Sequence, residues 1–554
     1  FVVDAGLDNS QGTINFNDAS LLIGSGGSNA SSTDNFVFNT NDIVRYVILD
    51  KTGGTTIVTN GHLGITETLK LESGTLNAGN KVTLLNPSTS EVAQVIESTG
   101  GSANVRVERF IPVATALPDP TRGFRFLASS VDSNGSIYNN WQESGNSPAG
   151  YGTHITGNND GTNGVDQTIT GNPSMYNFDN ALTGNQNNAW VPVTDTKGID
   201  LKAGKAYRIF IRGDRNYNLD SNPADAPNSD VTLRATGALV VGDKTETLSN
   251  VGGFYSSIGN PYQANVNINS VIGTNLNTNF YWVWDPNMSQ RGAYVAVPLP
   301  SGIPVGSSDS NQFIQPGQSF FVQTLNDGAA NLIFRETAKD VAALPTDVFS
   351  DDNQISINLL LYTDQSLNNN DIEADALGIN FSPNGNNTVD QMDAGKLGNP
   401  DENLARLNNG AYLSIENRAM PVDNESLVLF TNGYTASNYT FVANASNLPN
   451  DVDAFLVDNY TGNQTLLSDG NNQINFTVDA SIPESIAADR FSVDFEVETF
   501  GLNDNDLAEI FTVYPNPVTE SPLTIISSQM AGENVELNLY NMIGQSLLQT
   551  QGTF

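Results

Sequence analysis

Gly64-Ile-Thr-Glu-Thr-Leu-Lys-Leu71, followed by Gly74-Thr-Leu-Asn-Ala-Gly-Asn-Lys-Val-Thr-Leu-Leu85, decides the fold class. Leu63 and Ile65, Leu69 and Leu71, and Val82 and Leu84 each stand two residues apart, so each pair lies on one face of a strand. Val44-Arg-Tyr-Val-Ile-Leu49 carries the same alternation upstream. The Ser73-Gly-Thr-Leu-Asn-Ala-Gly79 stretch reads as one coil of a right-handed parallel β-solenoid, in which each coil stacks its apolar residues on the next. An ordinary β-sandwich is the competing reading. So short a solenoid needs a cap or neighbours, and a longer repeat region before Phe1 is the expectation.

Outward from this stretch the all-β pattern continues. Long helical periodicity is almost absent, and 49 glycines with abundant asparagine supply tight turns. At 554 residues the chain is too long for one core, and about three to five domains are expected. The expected organisation is a solenoid-like region at 1–105, then a β-sandwich module with long loops at 106–340. An immunoglobulin-like or jelly-roll sandwich follows at 353–498, a linker at 499–508 and a small immunoglobulin-like unit at 509–554. Strands of the second unit are read at 123–127, 206–212, 231–234, 280–284, 293–297 and 318–324. Those of the third are read at 355–362, 375–381, 411–415, 426–430, 439–442, 454–458, 474–478 and 491–495.

Charge narrows the partners. The chain holds 23 basic and 60 acidic residues, a net charge of −37. Such a chain is repelled by nucleic-acid phosphates and anionic lipid heads, so neither is an expected partner. With no cysteine, disulfides, thiolate catalysis and cysteine–zinc sites are excluded. No run of eighteen apolar residues occurs, so no helical membrane insertion is expected.

Hydrolytic motifs are wanting. Only His62 and His154 could serve a Ser-His-Asp triad, and neither a Gly-x-Ser-x-Gly elbow nor a His-Glu-x-x-His helix occurs. Paired carboxylates for glycoside hydrolysis are not excluded, because 60 acids form many chance pairs. The loop Asn158-Asn-Asp160-Gly-Thr-Asn163-Gly-Val-Asp166 alternates short oxygen ligands with glycines, which suits Ca2+ held by Asn158, Asp160, Asn163 and Asp166. Asx-turns would give the same composition. Asp214 to Asp220, and Asp390 with Asp393 near Asp371 and Asp375, are further calcium candidates. Arg212-Gly-Asp214 is a three-residue match to the integrin tripeptide and is read as structural. In Phe280-Tyr-Trp-Val-Trp284, alternation puts one set of side chains inward and one outward; an outward Trp282 or Trp284 would make a platform for surface glycans, and core packing is the other reading.

The last forty residues add an address. Phe511-Thr-Val-Tyr-Pro-Asn-Pro-Val518 is a strand ending at an Asn between two prolines, Leu523-Thr-Ile-Ile526 a second strand, and Val535-Glu-Leu-Asn-Leu-Tyr540 a third closed by Asn541 and Gly544. This order resembles the type A C-terminal sorting domain of proteins exported by the type IX secretion system. The residues that carry it are Tyr514, Pro515, Asn516 and Pro517, Leu523 and Ile525, and Leu539, Tyr540, Asn541, Gly544 and Gln545. The resemblance implies a small β-sandwich read by the type IX outer-membrane translocon and passed to a shuttle β-barrel protein. It also implies a secreted or extracellular surface location on a Gram-negative bacterium. Its recognition residues would be Tyr514, Pro515, Asn516, Pro517, Tyr540, Asn541 and Gly544. A sorting domain of this type continues with a Gly-x-Tyr strand and a basic segment, so both chain ends are expected to be cut. The unit at 106–340 is similar to a module common in large surface proteins with such tails, and the unit at 353–498 resembles the sandwich that often precedes them. The reading that follows is a non-enzymatic adhesin or stalk. The alternative is the C-terminal part of a secreted polysaccharide-degrading enzyme or carbohydrate-binding protein.

Overall fold

The computed structural model describes the chain except residues 1, 4, 11–19, 25–30, 41, 113–122, 134, 220–228, 287, 289–290, 342–354, 384, 498–511, 515–521, 528–531, 533, 542–544 and 554. It is nearly all β.

Parallel pairing settles the N-terminal region as solenoid-like. Ser20–Ile23 pairs parallel with Asp42–Asn60, which pairs parallel with Leu63–Leu84. Leu21 stands opposite Val47, Val47 opposite Leu69, and Leu69 opposite Val95. All four are buried, as are Ile23, Leu49 and Leu71 in the adjacent column. Polar groups also stack between coils. Ser73 donates to Asp50 at 2.9 Å, and buried Lys51 reaches Asp34 at 2.5 Å. An ordinary sandwich would pair antiparallel neighbours through tight turns, whereas parallel neighbours need a full coil of chain between them.

The coil stack ends on Ser102–Ile111. This strand pairs parallel with Leu63–Leu84 on one edge and antiparallel with Val231–Leu239 on the other. The expected limit between residues 105 and 106 falls within this strand, and one hydrophobic core continues from Leu21 to Leu239. Val231–Leu239 therefore covers the otherwise open sheet edge, which is what a short solenoid requires.

The second region holds two four-stranded sheets. One runs in the order Trp190–Pro192, Met175–Phe178, Tyr207–Ile211, Gly123–Leu127. The other runs Tyr255–Gly259, Ser319–Gln323, Phe280–Asp285, Ala293–Pro298. A three-stranded sheet of Lys244–Thr247, Asn331–Phe334 and Ile272–Thr274 shares a core with the second of these.

From Ile355 to Val497 the strands form a single eleven-stranded sheet. It folds over on itself. Phe441 and Phe491 lie far apart in strand order, yet their rings meet edge to face at 5.0 Å. The core between the halves is Phe-rich and buried, the arrangement of a sandwich. Asn403–Asn408 is a strand that the sequence pattern did not mark. A short helix, Asp364–Asn369, is capped by the Thr363 side chain accepting from Ser366 N and ends at Asn370 with φ of 57°.

Candidate functional sites

The tail forms two separate hairpins. Thr512–Tyr514 pairs antiparallel with Thr524–Ile526, setting Tyr514 opposite Thr524. Asn534–Tyr540 pairs antiparallel with Ser546–Thr553. Asn541 closes the second hairpin: its backbone N–H donates to Gln545 O at 3.0 Å, and its side chain exchanges two 2.9 Å hydrogen bonds with Gln545. Pro515, Asn516, Pro517 and Gly544 lie outside the described residues, and Tyr540 is described only as the last residue of its strand. None of the tail's described residues is buried. Val513, Tyr514, Leu523, Ile526, Leu539, Leu547 and Leu548 are all exposed, between 43% and 62%.

The calcium-candidate loop divides into two sets of contacts. Asn158 Oδ1 accepts from Asp160 N and Gly161 N at 3.3 and 2.7 Å, and Asp160 Oδ1 accepts from Thr162 N at 3.1 Å, which are Asx-turn bonds. Asn163 adopts a left-handed conformation, φ 57°, and its carbonyl accepts from Thr196 N and Lys197 N. Asp166 faces elsewhere. Arg215 clamps both of its oxygens at 2.9 Å, Gln142 and Ile155 N donate to Oδ2 at 3.0 Å, and His154 Nδ1 lies 3.3 Å away. Burial works against the charged carboxylate, but His154 and Arg215 overcome it and hold Asp166 well below the usual range. The structure thus brings Asn158 and Asp160 together and places Asp166 in an ion pair.

Asp214, Asp375 and Asp393 are likewise engaged. Asp214 accepts from Gly150 N at 2.7 Å and Asn216 N at 2.9 Å, and Asp220 lies outside the described residues. Asp375 pairs with Lys396 at 2.6 Å. Asp393 accepts from the backbone of Asp390 and Asn417. Among the described residues, no three acidic or histidine side chains gather as a metal centre. His62 Nε2 meets Thr83 at 2.9 Å and His154 Nε2 meets the Tyr217 carbonyl at 3.0 Å.

Trp282 and Trp284 line a seam rather than a platform. Every residue of Phe280–Asp285 is buried, on both faces. Tyr281 and Val283 enter one core; Phe280, Trp282 and Trp284 enter another that also contains Phe126, Ala394 and Ile415. Trp284 stacks on Phe126 at 5.3 Å and 4°, and its Nε1–H donates to Phe124 O at 3.0 Å. Trp282 Nε1–H donates to Gly395 O at 3.0 Å, tying the second region to the third. Arg291 adds an ion pair to Asp401, and Asn399 accepts from Tyr294 N at 2.8 Å. Trp190, only half-buried, lies on the outer part of the same aromatic system, 5.1 Å from Phe178 and 5.5 Å from Phe126.

Comparison with protein families, curated proteins and solved structures finds no match for this chain. Among its described residues no helix is long and apolar enough to cross a membrane.

Proposed function

We propose that the chain is a non-enzymatic secreted or cell-surface protein of a Gram-negative bacterium, exported by the type IX secretion system through its segment 509–554. The observation that supports this best is the pair of tail hairpins whose apolar side chains stay exposed. Large apolar side chains left exposed on both hairpins are what a covering partner would bury. In this reading Tyr514, Pro515, Asn516, Pro517, Tyr540, Asn541 and Gly544 are the residues recognised by the translocon and then by the shuttle barrel. The upstream coils and sandwiches are the passenger, an adhesin or stalk.

Cell fractionation tests the proposal. Expressed in a host with this secretion system, the chain should reach the surface or medium. A variant lacking 509–554 should fold yet accumulate in the periplasm. Surface delivery of the truncated chain would overturn the reading.

A further inference from the structure

Arg208 sits on the half-buried face of the sheet Trp190–Pro192, Met175–Phe178, Tyr207–Ile211, Gly123–Leu127. Register brings rings around it: Arg208 stands opposite Tyr176 on one neighbouring strand and Phe126 on the other. The centre of its guanidinium lies 4.7 Å from the rings of Phe124 and Tyr176 and 4.4 Å from that of Trp190. These rings attract the cation through their faces, but they accept no in-plane hydrogen bonds from its five N–H donors.

Among the described residues no carboxylate answers those donors. Arg208 Nε is buried without a hydrogen-bond partner. Arg215, Arg234, Arg406 and Arg490, by contrast, each face a carboxylate at 3.0 Å or less. Burial pushes the Arg208 guanidinium down from its ordinary value, and the influences opposing that come from Tyr294 and Tyr176 rather than from a carboxylate. In a chain with 60 acidic residues, this half-buried guanidinium has rings rather than a carboxylate as its neighbours among the described residues, and a planar fork of this kind suits an anion.

We propose that Arg208, with the rings of Phe124, Tyr176 and Trp190, forms a subsite for a single acidic sugar, its carboxylate on the guanidinium fork and its pyranose against the aromatic faces. The planar fork matches a carboxylate, and the rings offer flat apolar surface beside it. The net charge of −37 repels polyanions at range, so the ligand is an isolated acidic sugar on an otherwise neutral glycan, not a polyuronate. The subsite concerns what the passenger holds and is independent of the tail's role in export.

Trp190 reports on the site, because Trp141, Trp282 and Trp284 are buried. Titrating the full chain with glucuronate should change tryptophan emission saturably, with glucose and acetate at least ~10-fold weaker. Arg208→Gln should abolish the change, and Arg208→Lys should weaken it by about 10-fold, since a point charge replaces the fork. Both variants should keep the wild-type circular dichroism and a cooperative melt, and Trp190→Phe should lose the signal while calorimetry still detects binding. No saturable response, an unchanged response in a folded Arg208→Gln protein, or equal binding of acetate would each overturn the acidic-sugar subsite.

Discussion

Arg215 grips Asp166 with both terminal nitrogens, each 2.9 Å from a carboxylate oxygen, across 49 residues of chain. Arg215 also donates to the carbonyls of Asn146 and Thr153, so one guanidinium pins three loop segments. Asp166→Asn leaves a buried cation half-answered and should cost about 3 kcal/mol, read as a lowered denaturation midpoint. Acid should act the same way. The folded carboxyl titrates below its unfolded value, so its contribution is present above about pH 4 and is lost as pH falls towards the folded value. Asp166→Asn should flatten that acid limb.

Asp393 should show the opposite slope. Burial, aided by the charges of Asp390 and Glu416, pushes its carboxyl up to about 6 against two backbone N–H bonds. The folded state therefore binds the proton more tightly than the unfolded state, and this residue's contribution falls as pH rises from about 4 to 6. The loss should be of the order of 1–2 kcal/mol, after allowing for solvent near the loop. Urea midpoints at pH 4, 5 and 6 for the wild type and Asp393→Asn check it; parallel curves for the two would contradict the assignment.

The coil ladder should be sensitive to single truncations. Leu69 lies between Val47 and Val95 and is fully buried, so Leu69→Ala opens a void in the middle of a column. A cost of about 3 kcal/mol is expected, visible in the melting of the N-terminal region and absent from that of the Phe441–Phe491 core.

Trp282 should couple the second and third regions. Trp282→Leu removes the donor to Gly395 and the edge-to-face contact with Tyr255 at 4.9 Å. Scanning calorimetry should show the two regions' transitions drawing apart, with a loss of about 3 kcal/mol in the less stable one. A single undisturbed transition would show that the seam does not couple them.

Alternation alone made many of the strands legible, including Gly123–Leu127, Phe280–Asp285 and Phe491–Val497. Partners were harder to read. A pattern of two cannot show that Phe280–Asp285 is covered on both faces, because the second cover comes from Phe126 and Ile415, far away in the chain. Asn403–Asn408 is not legible from alternation because Arg406 reads as a surface charge; it is buried, with Glu416 at 3.0 Å on the adjacent strand. Asp166 fits a ligand loop by spacing, and only its distant partner Arg215 shows what its oxygens do. The cage around Arg208 was equally hidden, since Phe124, Tyr176 and Trp190 come from three strands and share no motif.

The double-edged strand Ser102–Ile111 has a consequence for how such a molecule can change its reach. Because it joins one kind of ladder to the other, turns of chain can be duplicated or lost upstream of it while the splice keeps the same neighbours. Extension in whole rungs is then open to variation without redesign of the sheets that follow the splice.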